Sequence, residues 1–459
     1  MPNLSAIFNR IRSIKQDNSL NDDTKGEKIL NIYYNEIKPS FSAEEIKKEP
    51  QLLSDILLGY RYSNKQEDCA YEFLKNLQIK SENFSAQYFV KNFAVTLSEF
   101  YYKLIEHIEP LYQLEKISIY DKTFPLDIKK SDLNDIILKI ISTLERKNEI
   151  DKSLYSKLTV NALIAELHFT NCDAKFALNL LNNINLEDLS KEQVVLTIEK
   201  GGRQQKIDFF SDYEKVLALR AAFLYLDNQF ENLIKYSQEI KSKNINEEVK
   251  VYANRKAALA KFKIGKIEEA IKDFENIVLN KKDWMIYKEF GDMLFWKKDF
   301  RQALKKYVDA ALLTGFEKSK TDLYENLGDL LSEAGENADY HYIYAAHYKK
   351  SEYKDDSSIL SKIERKYDNI DIEEIEKQLM KFWTSLLEKG EIVRINREKK
   401  FGFINCKNKD VFFHYGAYRG NPAKIYEGAK VSFSRDFAID KSKNEKKYEV
   451  IYFFLEEDN

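Results

Sequence analysis

The sequence predicts a mainly α-helical chain that ends in a small β-barrel, and three observations carry this prediction. Glycine and proline are scarce, at 14 and 6 of 459 residues, so few positions interrupt helices. Apolar residues recur at helical spacing, and from about residue 245 to 350 the pattern repeats itself. From Lys389 onward strand-like alternation and turn residues replace that spacing, which is typical of a β-barrel.

Composition narrows the class of protein. A hydrophobic fraction of 44% excludes a disordered chain, and 459 residues are too many for one compact domain. Lys+Arg (73) and Asp+Glu (75) nearly cancel, so any basic surface must be local. Cys69, Cys172 and Cys406 lie too far apart for a disulfide framework or a zinc ribbon. With no signal-peptide pattern and no apolar stretch long enough for a membrane span, we expect a cytoplasmic protein.

Two consecutive segments, 254–280 and 284–313, carry similar residues at matching offsets. Each has a small residue in its first helix (Ala258 or Gly291) and another in its second (Ala270 or Ala303), where two helices approach closely. A third, weaker copy contains Gly328 and has Tyr340 in place of the second-helix alanine, and degenerate copies lie upstream of residue 245. This pattern resembles the tetratricopeptide repeat, which implies an α-solenoid with a groove for a protein partner.

The chain divides into successive regions. Residues 1–150 are predicted to be an irregular helical part, and 151–360 tetratricopeptide-like repeats. Alternation and a Gly-Gly pair predict a hairpin insertion near 193–210. A capping or linker helix over 361–388 leads to the C-terminal module, 389–459.

The C-terminal module carries the chemistry. In KKFGFI the side chains of Phe401 and Phe403 share one face of a strand, and in DVFFHY so do those of Phe412 and His414. If the two strands are neighbours, these side chains form an exposed aromatic platform. Such a platform stacks bases at about 1–3 kcal/mol each, with little sequence preference.

The segment from Lys389 to about residue 455 resembles the cold-shock domain, KGxVKWFNxEKGFGFI…DVFVHFSAI. Lys389–Gly390, Asn396, 398–399, 401–404, 410–412 and His414 match position by position. The resemblance implies an OB-fold barrel and assigns base stacking to the aromatic residues of the platform. Tyr415, at a position that is Phe in the family, could add a further ring.

The sequence also departs from the family. Arg394 stands where the family has a stacking Trp, Lys400 stands in place of Gly, and a loop aromatic is lost near Pro422–Ala423. Arg394 could substitute by guanidinium stacking or by a phosphate contact. Residues 389–455 hold about 15 basic and about 8 acidic residues, a net charge of about +7 that attracts a phosphate backbone. We therefore expect weak, salt-dependent binding that also involves Lys389, Lys399 and Lys400.

Two hypotheses of function follow. The first is a non-enzymatic adaptor that binds single-stranded RNA or DNA through the barrel and an unknown protein through the repeats. The alternative is a purely protein-binding scaffold whose barrel has lost its affinity for nucleic acid, as a subunit of a stress or mobile-element conflict system. In that case the aromatic residues are barrel core, and His414 makes a structural hydrogen bond. No HExxH, phosphate-loop or G-x-S-x-G motif is present, so we expect no catalytic site, metal or cofactor.

Overall fold

A computed structural model describes most of the chain. The described residues are 3–84, 86–105, 130–146, 148–168, 172–200, 203–315, 317–353, 359, 361–362, 371–440 and 445–458. The predicted Gly201–Gly202 turn, part of the predicted linker helix (363–370) and part of a basic loop (441–444) lie outside them. The chain forms two compact units, Met1–Ala253 and Asn254–Asn459.

The first unit is built of helices, with two π-helical turns at Tyr33–Ile37 and Glu72–Asn76. Side chains of Phe73, Phe84, Phe89 and Phe93 form an aromatic cluster in its core. Its helices are α1 Leu4–Gln16, α2 Asp22–Ile32, α3 Ala43–Lys47, α4 Pro50–Tyr62, α5 Gln66–Tyr71, α6 Gln87–Ile105, α7 Lys130–Thr143, α8 Glu149–His168, α9 Ala174–Asn182, α10 Asp212–Leu226 and α11 Phe230–Lys241.

A two-stranded antiparallel hairpin interrupts the helices of the first unit. Strands β1 (Val194–Lys200) and β2 (Arg203–Phe209) pair from Val194↔Phe209 to Lys200↔Arg203. The hairpin lies where the alternating sequence predicts one. Ser211 caps the start of α10 with a capping box, in which the Glu214 carboxylate accepts a hydrogen bond from the Ser211 backbone N–H and the Ser211 hydroxyl accepts one from the Glu214 backbone N–H.

Helix pairs of tetratricopeptide type form the helical part of the second unit. A Cβ on Gly291 would lie 2.5 Å from the ring of Tyr307, and one on Gly328 would lie 2.5 Å from the ring of Tyr342. Each glycine therefore makes room for a tyrosine of the paired helix. The helices are α12 Glu247–Lys263, which crosses from the first unit, α13 Ile267–Asn280, α14 Trp284–Trp296, α15 Phe300–Leu312, α16 Thr321–Glu333, α17 Asp339–Tyr353 and α18 Ile372–Ser385.

Helix α18 closes this stack against α17, and a buried histidine lies at the contact. The Trp383 indole N–H donates to Nε2 of His341 at 3.1 Å, and the Trp383 ring stacks on Tyr324. His341 is buried, and burial lowers the pKa of its imidazole to about 3. The imidazole is therefore neutral at pH 7.

Five strands then close into a barrel in the order β3-β4-β5-β7-β6. The barrel core combines aliphatic residues with the rings of Phe413, Phe433 and Phe453. This architecture, a tetratricopeptide-like α-solenoid followed by a cold-shock-type OB barrel, confirms the predicted fold class. The strands are β3 Glu388–Asn396, β4 Phe401–Cys406, β5 Lys409–His414, β6 Lys430–Asp440 and β7 Glu445–Leu455.

The barrel packs on α13–α15 through polar contacts that the sequence does not predict. Asp309 of α15 is buried and accepts hydrogen bonds from the Ser434 hydroxyl at 2.6 Å and from the Tyr452 hydroxyl at 2.8 Å. Burial raises the pKa of the Asp309 carboxyl, and its second oxygen accepts no hydrogen bond from any described residue. This carboxyl joins α15 to both β6 and β7.

A second carboxylate holds β6 against α14 and α15. Asp436 accepts from the Lys306 ammonium at 2.6 Å and from the Tyr287 hydroxyl at 2.9 Å. Burial is the largest single influence and disfavours the ionised form, but the charges of Lys306 and Lys282 and the hydrogen bonds from Lys306 and the Phe437 N–H together hold the Asp436 pKa below its usual value. Lys282 also donates to the backbone oxygen of Phe437 at 2.6 Å. The helices therefore hold β6 and β7, whereas β4 carries none of these contacts.

Candidate nucleic-acid interface

Strands β4 and β5 place the predicted aromatic residues side by side. Phe401 is the register partner of His414, and Phe403 that of Phe412, so alternation brings all these side chains to one face. Between them, Gly402 faces inward, where a Cβ would lie 2.5 Å from the Phe413 ring and 2.6 Å from the Arg394 carbonyl oxygen. Glycine is thus required here for the strand to pack over the core.

The rings form a continuous, accessible surface. Ring centroids of Phe401 and Phe412 lie 5.6 Å apart, those of Phe403 and Phe412 5.7 Å apart, and those of Phe412 and His414 4.7 Å apart. His414 is exposed and the three phenylalanines are half-buried, whereas Phe413 is fully buried in the core. In the described structure these rings face outward from the barrel, on β4 and β5.

Arg394 of β3 extends this surface. It is the register partner of Phe403, and its guanidinium lies 4.3 Å from the centroid of the Phe403 ring. At that distance the planar cation contacts the ring face. The residue that replaces the family's Trp therefore lies on the aromatic surface, where either expected role, stacking or phosphate contact, remains open to it.

Lys447 of β7 is a component that the motif comparison misses. Its ammonium lies 5.1 Å from the centroid of the Phe412 ring, on the opposite side of the surface from β3. Strand β7 reaches this place because it pairs in parallel with β5 at Phe412↔Glu449. The sequence signal for this lysine was a basic loop over 441–447, which does not show which ring a lysine would contact.

The turn from β3 to β4 brings two more predicted cations to the edge of the surface. Lys399 and Lys400 are exposed and directly precede Phe401. Lys400 has φ 53°, a left-handed conformation that explains why the cold-shock pattern has glycine there. The Asn396 side chain stabilises the turn by accepting from the Lys399 backbone N–H at 2.9 Å.

Two predicted site residues lie elsewhere. Lys389 is at the start of β3, where its ammonium donates to the Ser432 hydroxyl at 2.6 Å and pairs with Glu456 at 3.3 Å. Tyr415 directly follows β5 at the start of a 3-10 turn and lies on the same inward face as Val411 and Phe413, so its ring packs on the core beside Phe413. Within the described part of the chain, the buried Tyr415 hydroxyl has no hydrogen-bond partner. Neither side chain joins the aromatic surface.

Other kinds of site find no support in the described residues. Among them, no group of His, Cys, Asp and Glu side chains could hold a metal ion. No described helix is both long and apolar enough to cross a bilayer.

Comparison with known proteins agrees with the barrel. Residues 388–450 match the family model described as 'Cold-shock' DNA-binding domain. No curated protein matches the chain.

Solved structures that are similar to the chain contain helical repeats. The Cut9–Hcn1 hetero-tetramer of APC/C is 14% identical over 72% of this chain and 68% of that one, with a TM-score of 0.28. The human IFIT1 dimer with m7Gppp-AAAA is 14% identical over 80% and 86%, with a TM-score of 0.26. The antigen c5321 of uropathogenic Escherichia coli, which has an SLR fold, is 10% identical over 84% and 99%, with a TM-score of 0.21.

Proposed function

We propose that this chain, whose C-terminal barrel is a cold-shock-type domain, is a non-enzymatic adaptor that binds single-stranded RNA or DNA. The observation that supports the proposal is the outward-facing aromatic surface of β4 and β5, bordered by Arg394, Lys399, Lys400 and Lys447. Rings stack bases of any sequence and cations attract the backbone, so the site suits an unpaired strand. The proposal needs no cofactor and no metal.

The helical repeats are proposed to bind a protein partner. In support, Trp296 at the end of α14 is 63% exposed and contacts the Phe262 ring edge-on at 5.6 Å. Tryptophan is enriched among residues that dominate protein interfaces. Proteins crosslinked to the chain in cells should be lost with Trp296→Ala and kept with Leu226→Ala, a change at another exposed apolar residue. The same partners with both variants would contradict this assignment.

The proposed compartment is the cytoplasm. Cys69, Cys172 and Cys406 are free thiols, which agrees with a reducing environment.

Fluorescence anisotropy with labelled oligouridylate and oligothymidylate tests the nucleic-acid proposal. The test variant replaces Phe401, Phe403, Phe412 and His414 by leucine, which keeps apolar bulk and removes the flat rings. If two bases stack, the affinity falls at least about 30-fold. The matched control is Phe437→Leu with Tyr448→Leu, an exposed stacked pair on β6 and β7 with centroids 4.2 Å apart. This control is expected to bind like the wild type.

Failure of the folded wild-type chain to bind either strand at low salt would favour the protein-binding scaffold instead. Wild-type affinity in the test variant would place the stacking elsewhere on the barrel.

A further inference from the structure

We infer that two rows of side chains on the aromatic surface have different roles in binding nucleic acid, and that Lys447 binds a backbone phosphate. The first row holds the backbone through cations that lie on its rings, and the second row stacks the bases. This inference rests on the proposed function, because it assigns separate roles within the same surface.

The first row runs across the strands in register. Arg394 on β3 pairs with Phe403 on β4, and Phe403 pairs with Phe412 on β5. Arg394 lies over the ring of Phe403, and Lys447 lies over that of Phe412. A cation that sits on a ring face occupies the place of a stacked base, and it offers N–H donors to a phosphate instead. We therefore assign phosphate contacts to Arg394 and Lys447.

The second row lies one pleat away along the same strands. Phe401 and His414 are register partners, and within the described part of the chain no cation lies over either ring. His414 is exposed and meets the Phe412 ring edge-on, at an interplanar angle of 88°. These two rings are the open faces on which bases can stack.

Glu449 directs the path of the bound nucleic-acid backbone beside β7. It is the register partner of Phe412, so a carboxylate ends the first row there. A phosphate is repelled from this position, whereas Lys447, two residues away on the same face of β7, attracts one. The backbone is therefore expected to pass over Lys447 and to avoid Glu449.

The salt dependence of oligouridylate binding separates the two rows. Each phosphate contact to a single strand contributes about 0.7 to the slope of log K against log salt. The full-length variant Arg394→Gln with Lys447→Gln should lower this slope by about 1.4 and approach wild-type affinity at high salt. Phe401→Leu with His414→Leu should lower affinity by the same factor at every salt concentration and leave the slope unchanged. Lys430→Gln, a change at an exposed lysine of β6 that carries no ring contact in the described structure, is the control.

Two results would overturn the division of labour while leaving nucleic-acid binding intact. One is an unchanged slope in the Arg394/Lys447 variant. The other is wild-type affinity in the Phe401/His414 variant together with a salt-independent loss in Phe403→Leu with Phe412→Leu. If the wild-type chain does not bind at all, the proposed function itself fails.

Discussion

Replacing Tyr452 by phenylalanine is expected to loosen the barrel from the helices without changing its apolar core. The Tyr452 hydroxyl donates to Asp309 at 2.8 Å, and both side chains are buried, so water cannot replace the lost donor. The aromatic ring stays, and Asp309 keeps the Ser434 hydroxyl at 2.6 Å. A buried hydrogen bond to a carboxylate contributes about 1.5–3 kcal/mol, which corresponds to an opening equilibrium about 10- to 100-fold larger.

Native-state hydrogen exchange of the full chain measures this effect on the amides of β6 and β7. Peptides that cover 430–455 should exchange about 10- to 100-fold faster in Tyr452→Phe. Tyr426→Phe is the control, because the Tyr426 hydroxyl meets Glu457 on the exposed surface, where its loss should change exchange less than about threefold. If the two variants exchange alike, the Asp309 contact does not stabilise the docked barrel.

Three further predictions follow from single groups. Burial lowers the pKa of His341 to about 3, so as pH falls the unfolded chain binds a proton at this imidazole before the folded chain does. The stability that comes from burying the neutral imidazole is therefore complete above about pH 6.5 and is lost as pH falls toward 3. At pH 5 the free energy of unfolding should be about 2 kcal/mol lower than above pH 6.5. Hydrogen exchange of the α17 and α18 amides, corrected for the intrinsic effect of pH, measures this loss. His341→Gln should abolish the loss. Gly402→Ala forces a Cβ to 2.5 Å from the Phe413 ring and should destabilise the barrel by about 1–3 kcal/mol in thermal unfolding. The control is Gly416→Ala, which should leave the stability unchanged because a Cβ there has no described atom within 4 Å. Equal melting temperatures of the two variants would contradict the close packing at Gly402. Glu449→Gln should tighten oligouridylate binding about two- to fivefold at low salt and not at high salt, and a salt-independent gain would argue against repulsion.

Local patterns predict much of this fold. Matching offsets around Gly291 and Gly328 identify the helix pairs, because a tyrosine fits only where a Cβ is missing. Docking of the barrel depends instead on pairs far apart in sequence, such as Asp309 with Tyr452 and Lys306 with Asp436. Each of these residues by itself reads as an ordinary helix or strand residue, so no local pattern reveals the contact.

Local patterns likewise predict part of the candidate site. Period-two alternation suffices to bring Phe401, Phe403, Phe412 and His414 to one face, given that β4 and β5 are neighbours. Alternation by itself places Tyr415 on the inward face with Phe413, where its ring lies, whereas the resemblance to the cold-shock domain had placed it on the platform.

The positions of the basic side chains are less predictable from the sequence than those of the aromatic rings. Similarity placed Lys389 in the site, but the pairing of β3 with β6 carries it to Ser432. Similarity gave no role to Lys447, because its place over Phe412 depends on how β7 closes the barrel.

The most direct measurement compares two strands of equal length and charge, one an oligouridylate and one an abasic ribose-phosphate chain. If flat bases settle on the open rings of β4 and β5, the wild-type protein binds the oligouridylate at least about 30-fold more tightly, and Phe401→Leu with His414→Leu removes most of that preference. Equal affinity for the two strands would mean that the barrel attracts charge alone, and would contradict base stacking on this surface.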